Sequence, residues 1–241
     1  MGTDAYAAAD FYGTPRGVVA ARLVRERLAT IWPPAPAGTA KNLAFLGLGY
    51  PAPYLEAWRE GAVRCIAVTP AQVGAAKWPA DAPNLACTAC EDALPFPDLS
   101  FDRVLVVHGL EAADYARRML REVWRVLKDD GRLLIVVPNR VGMWAQIEST
   151  PFGQGQPYSP GQIGRLLAAS LFRVERRDTA LYLPPVNLRL LLRGARLWEA
   201  VGRRLMPGFG GVTISEAVKD VYAAVPHRAV ARRRVVLADA A

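Results

Sequence analysis

Short apolar runs that alternate with helix-length segments constrain this chain more than any other feature. Leu43–Leu46, Val63–Val68, Leu85–Cys87, Arg103–Val107 and Leu133–Val137 read as strands, the last two as continuous runs of the kind buried on both faces. Strands alternating with helices give a parallel sheet with helices on both sides. The clearest helix lies between the fourth and fifth runs. In "DYARRMLREVWRVLKDDGRLLIVV", Tyr115, Met119, Leu120, Val123, Val126 and Leu127 share one face, and Asp130-Gly131 ends it. Phe172–Arg176 and Gly211–Ala223 read as two last strands, the second able to break into a strand and something else.

Other segments surround this unit. After Pro15, Val18, Val19, Leu23, Leu28 and Ile31 recur with helical spacing up to Pro33-Pro34-Ala35-Pro36. Leu188–Met206 reads as one or two basic amphipathic helices carrying Arg189, Arg193, Arg196, Arg203 and Arg204. The expected organisation is an N-terminal helix and linker over 1–38, a main domain over 39–226 with the basic helices inserted at about 184–207, and a mobile basic tail over 227–241. A chain of 241 residues can bury one full core.

The net charge of +8 comes mostly from arginine. That suits an anionic partner, and it is also what a GC-rich coding sequence produces. Three cysteines form no disulfide framework, and Cys87 and Cys90, without a second pair or clustered histidines, do not make a zinc site; no metal is expected. The N-terminal stretch lacks the pattern of a secretory signal and no segment reaches about 20 apolar residues, so a cytoplasmic location is expected.

"LPFPDLSFDRVLVVHGLEAADYARRMLREVWRVLKDDGRLLIVVPN", residues 94–139, resembles the central segment of S-adenosylmethionine-dependent methyltransferases with the Rossmann-like fold. The shared order is an LPFPD-type loop, Phe101-Asp102 entering a strand, and a helix ending in an RVLKxxG-type turn. "LGLGYPAPYL", "PAQVGAAKWP" and "PFGQGQPYS" are similar to a proteobacterial branch of type 11 methyltransferase-like proteins with degenerate cofactor motifs. The resemblance implies an α/β fold of three layers around a mostly parallel seven-stranded sheet with an antiparallel last strand. It also implies S-adenosylmethionine as cofactor.

In such a sheet the ligand crevice lies beyond the carboxyl ends of the strands. At the first turn the resemblance assigns cofactor contacts to Gly47, Gly49 and Tyr50, the glycines allowing close backbone approach. Phe45 stands where an acidic residue would help and Pro51 where a third glycine would; the competing reading is that Pro51 and Pro53 merely shape a strand-to-helix turn. At the second turn Thr69 replaces the carboxylate that would hold the ribose hydroxyls, a change worth about 1–3 kcal/mol of affinity. At the third, Glu91 or Asp92 is expected to accept from the adenine amino group, with solvated loop carboxylates as the competing reading.

After the fourth strand His108 is the leading candidate for the reaction centre, as a base, a substrate-holding group or a residue packed against the cofactor. After the fifth, Asn139 is a second catalytic candidate, and Arg140, Trp144, Phe152 and Tyr158 populate a long loop suited to a substrate lid or an ordinary surface connection. The expected function is methyl transfer to an unidentified acceptor, which is a small molecule or a macromolecule. The alternative is a non-catalytic methyltransferase-like module that binds or regulates a protein partner after losing the cofactor. Nucleic acid or an anionic membrane surface is the less favoured partner for the basic helices, whose arginines better suit a solvated outer face packed on the sheet edge.

Overall fold

The computed structural model describes residues 4–36, 42–71, 76–187 and 189–221. The basic tail 227–241 and the end of the Gly211–Ala223 segment lie outside the described residues. The described residues form a seven-stranded sheet in the order β3-β2-β1-β4-β5-β7-β6. Its strands are β1 (Leu43–Gly49), β2 (Ala62–Pro70), β3 (Ala86–Ala89), β4 (Phe101–Val107), β5 (Leu127–Pro138), β6 (Phe172–Ala180) and β7 (Val212–Lys219). The first five are parallel, and β7 enters between β5 and β6 antiparallel to both. This is the fold class that the sequence and the resemblance implied.

The apolar runs are continuous because alternate residues feed opposite layers. In β4, Leu105 and Val107 join a core cluster with the helices α2 (Pro15–Ile31) and α3 (Ala52–Arg59). Val104 and Val106 join the other cluster, with α4 (Ala116–Val126) and α5 (Pro160–Ala169). Each fully buried Leu, Val or Phe in these layers contributes roughly 1.5–3 kcal/mol.

Two local details differ from the sequence reading. α4 ends at Val126 and β5 begins at Leu127, which is extended and pairs with Phe101. Gly131 serves the strand rather than capping the helix: a Cβ there would lie 2.7 Å from the Leu127 side chain, so its absence lets the chain fold over that buried leucine. Tyr115 is not on the buried face; it precedes α4, is exposed, and carries the Arg118 guanidinium 4.6 Å above its ring.

The N-terminal layer holds an element that helical spacing after Pro15 did not anticipate. α1 (Asp4–Gly13) precedes α2, and Thr14 separates the two by accepting a hydrogen bond from Gly17 N, with Pro15 at the first helical position. α2 then runs to Trp32, whose ring meets Phe45 edge-on at 6.2 Å. Phe45 in turn stacks on Trp58 at 5.9 Å. Phe45 is therefore the seat of α2 and α3 on the sheet. The Trp32 indole donates to Glu216 of β7 at 2.8 Å, and Glu216 also pairs with Arg132 at 3.2 Å.

The short α6 (Arg189–Arg193) and α7 (Ala195–Leu205) lie between β6 and β7. Ala195 and Gly202 turn inward; a Cβ on Gly202 would lie 2.5 Å from the Tyr182 side chain. No helix among the described residues is long and apolar enough to cross a membrane.

Candidate functional site

The carboxyl ends of β1 to β4 open onto one crevice, and its two sides differ in content. On the first side, Leu48, Val68, Pro70, Ala89, Leu94 and Met119 make apolar walls around a narrow cleft that is open to solvent. Gly49 and Gly109 line it with backbone and Glu91 adds a carboxylate. Gly49 has φ +89°, and a Cβ there would lie 2.2 Å from Val107 O and 2.7 Å from Gly109 N. Only glycine permits this approach of the first turn to the fourth.

Burial raises the Glu91 pKa, while the Asp114 backbone N–H, donating to the carboxylate, opposes the rise. Such a carboxylate is desolvated enough to select a donor that replaces its lost water. Asp92 is exposed and faces Arg118 at 3.8 Å, so of the two acids only Glu91 lines the cleft. Thr69 is half-buried at the end of β2, in register with Thr88 and next to Pro70 of the cleft wall.

The second side is filled by the protein itself. At Gly47 a Cβ would lie 2.4 Å from the Pro51 Cβ and 2.6 Å from Leu55, so this glycine makes room for α3. Pro51 is buried and precedes α3, with Ala52 first and Pro53 second in the helix. Tyr50 donates its N–H to Val107 O at 2.7 Å, and its ring stacks on Tyr12 at 5.4 Å. Tyr12 comes from α1.

The Tyr12 hydroxyl lies 2.6 Å from the Tyr54 hydroxyl and 2.7 Å from His108 Nε2. His108 Nδ1 lies 3.0 Å from Glu111 Oε1. Every donor is satisfied if Tyr54 donates to Tyr12, Tyr12 to Nε2, and Nδ1–H to Glu111. Burial pushes both phenols up, Tyr12 well above the ordinary tyrosine value.

His108 has φ +50°, a left-handed conformation that costs a non-glycine residue on the order of 1 kcal/mol or more. Its imidazole is 7% exposed and meets the Phe152 ring at 4.9 Å. Glu111 is buried, and its Oε2 has no hydrogen-bond partner among the described residues. A buried carboxylate oxygen left open beside an imidazole is the kind of group a ligand completes.

The loop after β5 is packed rather than free. Trp144 and Phe152 are fully buried, 5.3 Å apart, and both meet Phe11 of α1 edge-on. The Trp144 indole donates to Leu183 O at 2.7 Å. Asn139 is buried and donates through Nδ2 to Gly208 O at 2.7 Å and Gly210 O at 2.9 Å, a role that ties the loop after α7 to the end of β5. Arg140 is exposed, and Tyr158 is half-buried with its hydroxyl 3.4 Å from Leu110 O.

Tyr12 and Glu111 are the residues that sequence reasoning missed. The signal for Tyr12 was an aromatic pair, Phe11-Tyr12, placed directly before the Gly-Thr-Pro break, where buried side chains anchor a helix end. For Glu111 it was the spacing of three residues from His108.

A parallel sheet of this order, ending in an antiparallel hairpin and opening its crevice at the ends of β1 to β4, is the Rossmann-like methyltransferase fold. Residues 46–135 match the family model described as a methyltransferase domain. An uncharacterised protein from Mycobacterium tuberculosis is 31% identical over 138 residues, 54% of this chain and 46% of that protein. A ubiquinone/menaquinone biosynthesis C-methyltransferase from Bordetella avium is 46% identical over 59 residues, 24% of this chain and 22% of its own length. The chain thus spans about half or less of the curated relatives it matches. The crystal structure of a SAM-dependent methyltransferase from Thermotoga maritima superposes with a TM-score of 0.55 at 17% identity, covering 84% of this chain and 92% of that one.

Proposed function

We propose that this protein binds S-adenosylmethionine and transfers its methyl group to an acceptor that reaches the crevice beside His108. The observation that carries the reading is the apolar cleft at the ends of β1 to β4, which lies within the matched methyltransferase segment. Its walls suit a flat purine: Leu48, Val68, Leu94 and Met119 supply apolar contact and Glu91 an acceptor for an exocyclic amine. The lining matches the adenosine half of the cofactor in chemistry, and the cleft would have to widen to take it. Its amino-acid half would lie toward the stacked Tyr12 and Tyr50, and Tyr12 would have to give way for the whole molecule to enter.

The bound cofactor supplies a methyl group already activated by its sulfonium. The chain's own task is to align the acceptor and exclude water. With Tyr12 withdrawn, His108 Nε2 is free to accept a proton from the acceptor, while Glu111 keeps Nδ1–H oriented. Asn139 acts through the loop it holds.

The test is calorimetric titration with S-adenosylmethionine and S-adenosylhomocysteine, alongside thermal unfolding. Saturable binding and stabilisation by both are expected, and Ala89→Trp, which fills the cleft, should abolish them. If neither ligand binds at millimolar concentration, the reading is wrong. The tight packing of Tyr12 on His108 would then favour the second reading, a methyltransferase fold kept as a partner-binding module.

A further inference from the structure

We infer that α7 and the loop that follows it form a docking surface for an anionic phospholipid membrane. Leu197, Val201 and Leu205 recur every four residues along α7, and Trp198 lies beside them at spacings of three and seven, so all four share one stripe. The inward face is the one that carries Ala195 and Gly202. The stripe is uncovered by the described residues: Leu197 is 69% exposed and Leu205 71%. Met206 and Phe209 extend it past the helix end, both more than half exposed.

The patch continues onto the loop after β5. A Cβ on Gly142 would lie 2.6 Å from Gly210 O, which brings exposed Val141 and Met143 against the same loop. Asn139 locks that loop from beneath through Gly208 and Gly210. The surface is therefore held on the rim of the crevice rather than on a free arm. An uncovered apolar area built from both a helix and a neighbouring loop marks an interaction site rather than scattered exposure.

Charge identifies the occupant. Arg193, Arg203 and Arg204 are exposed around the stripe, and Arg196 is 75% exposed while paired with Glu26. Glu199 is the only acidic residue between Arg189 and Gly211, and it turns inward to accept from Tyr182 N at 2.6 Å. An apolar stripe with an arginine flank and no outward carboxylate on its helix fits the boundary between headgroups and acyl chains of an anionic leaflet. The inference stands independently of the cofactor reading.

The experiment is co-flotation of the full chain with vesicles of phosphatidylcholine alone or with about one-third phosphatidylglycerol, at low and high salt. Binding to the anionic vesicles that weakens with salt is expected. Leu197→Ser/Leu205→Ser, which keeps the charge, should weaken it at least about tenfold, as should Arg203→Gln/Arg204→Gln. Both variants should keep the wild-type unfolding temperature, since these side chains face outward.

No binding to anionic vesicles at low salt would overturn the proposal. So would unchanged binding by the serine variant, which would assign the attraction to charge elsewhere on the chain. A wild-type dimer in sedimentation equilibrium that the serine variant dissociates would replace the membrane by a second copy of the chain.

Discussion

The two sides of the crevice rest on the same strands but solve opposite problems. Beside β2 and β3 the chain withholds bulk: Gly49, Ala89 and Gly109 keep an apolar cleft with one carboxylate at its edge. Beside α3 the chain supplies bulk: Tyr12, Tyr50, Tyr54 and Phe152 pack around His108. The lesson concerns what a degenerate motif means. Pro51 and Phe45 look like losses when read against a cofactor, yet Pro51 fills the space beside Gly47 and Phe45 seats α2 and α3 on the sheet.

The contrast can be broken most severely from the open side. Ala89→Trp is expected to reduce cofactor affinity at least about 100-fold in calorimetry while leaving the fold intact, because it removes the volume a purine needs. On the filled side, Tyr12→Ala should cost about 3 kcal/mol in denaturant unfolding, since it empties a buried aromatic site. If Tyr12 blocks entry as proposed, the same variant binds S-adenosylhomocysteine more tightly than wild type; weaker binding would instead make Tyr12 part of the cofactor's own seat.

Tyr12→Phe is a gentler cut, expected to cost about 1–2 kcal/mol by removing the hydroxyl between Tyr54 and His108. It also tests the phenols. Burial raises both in the folded state above the unfolded value of about 10. The folded protein therefore holds protons that the unfolded chain releases, so stability is full below pH about 10 and falls as pH rises from there. Urea midpoints measured across the alkaline range should decline steeply in wild type and less so in Tyr12→Phe. The smallest effect sharpens the open side: Thr69→Asp restores a carboxylate at the end of β2 and should tighten binding up to about tenfold.

Much of this was legible beforehand. Arg103–Val107 and Leu133–Val137 read as buried strands, their alternation with helices implied a parallel sheet with its crevice at the carboxyl ends, and the resemblance implied the seven-stranded layout. His108 was legible as the residue after β4. Tyr12 was not, because its significance depends on α1 folding back across residues nearly a hundred positions away, a relation no local pattern records. Gly47 is ambiguous for a similar reason. A glycine marks a close approach, but the sequence does not say whether a ligand or the chain itself is approaching. Asn139 likewise has a polar side chain in a site-like position, and only its partners reveal a structural duty.

The bond from Trp32 to Glu216 joins residues 184 positions apart. It cannot form until β7, the last strand of the sheet, has slotted between β5 and β6. Contacts of such long sequence separation carry the largest loop-closure entropy and form late. One bond therefore ties the layer of N-terminal helices, which carries Tyr12 over His108, to the last strand in chain order.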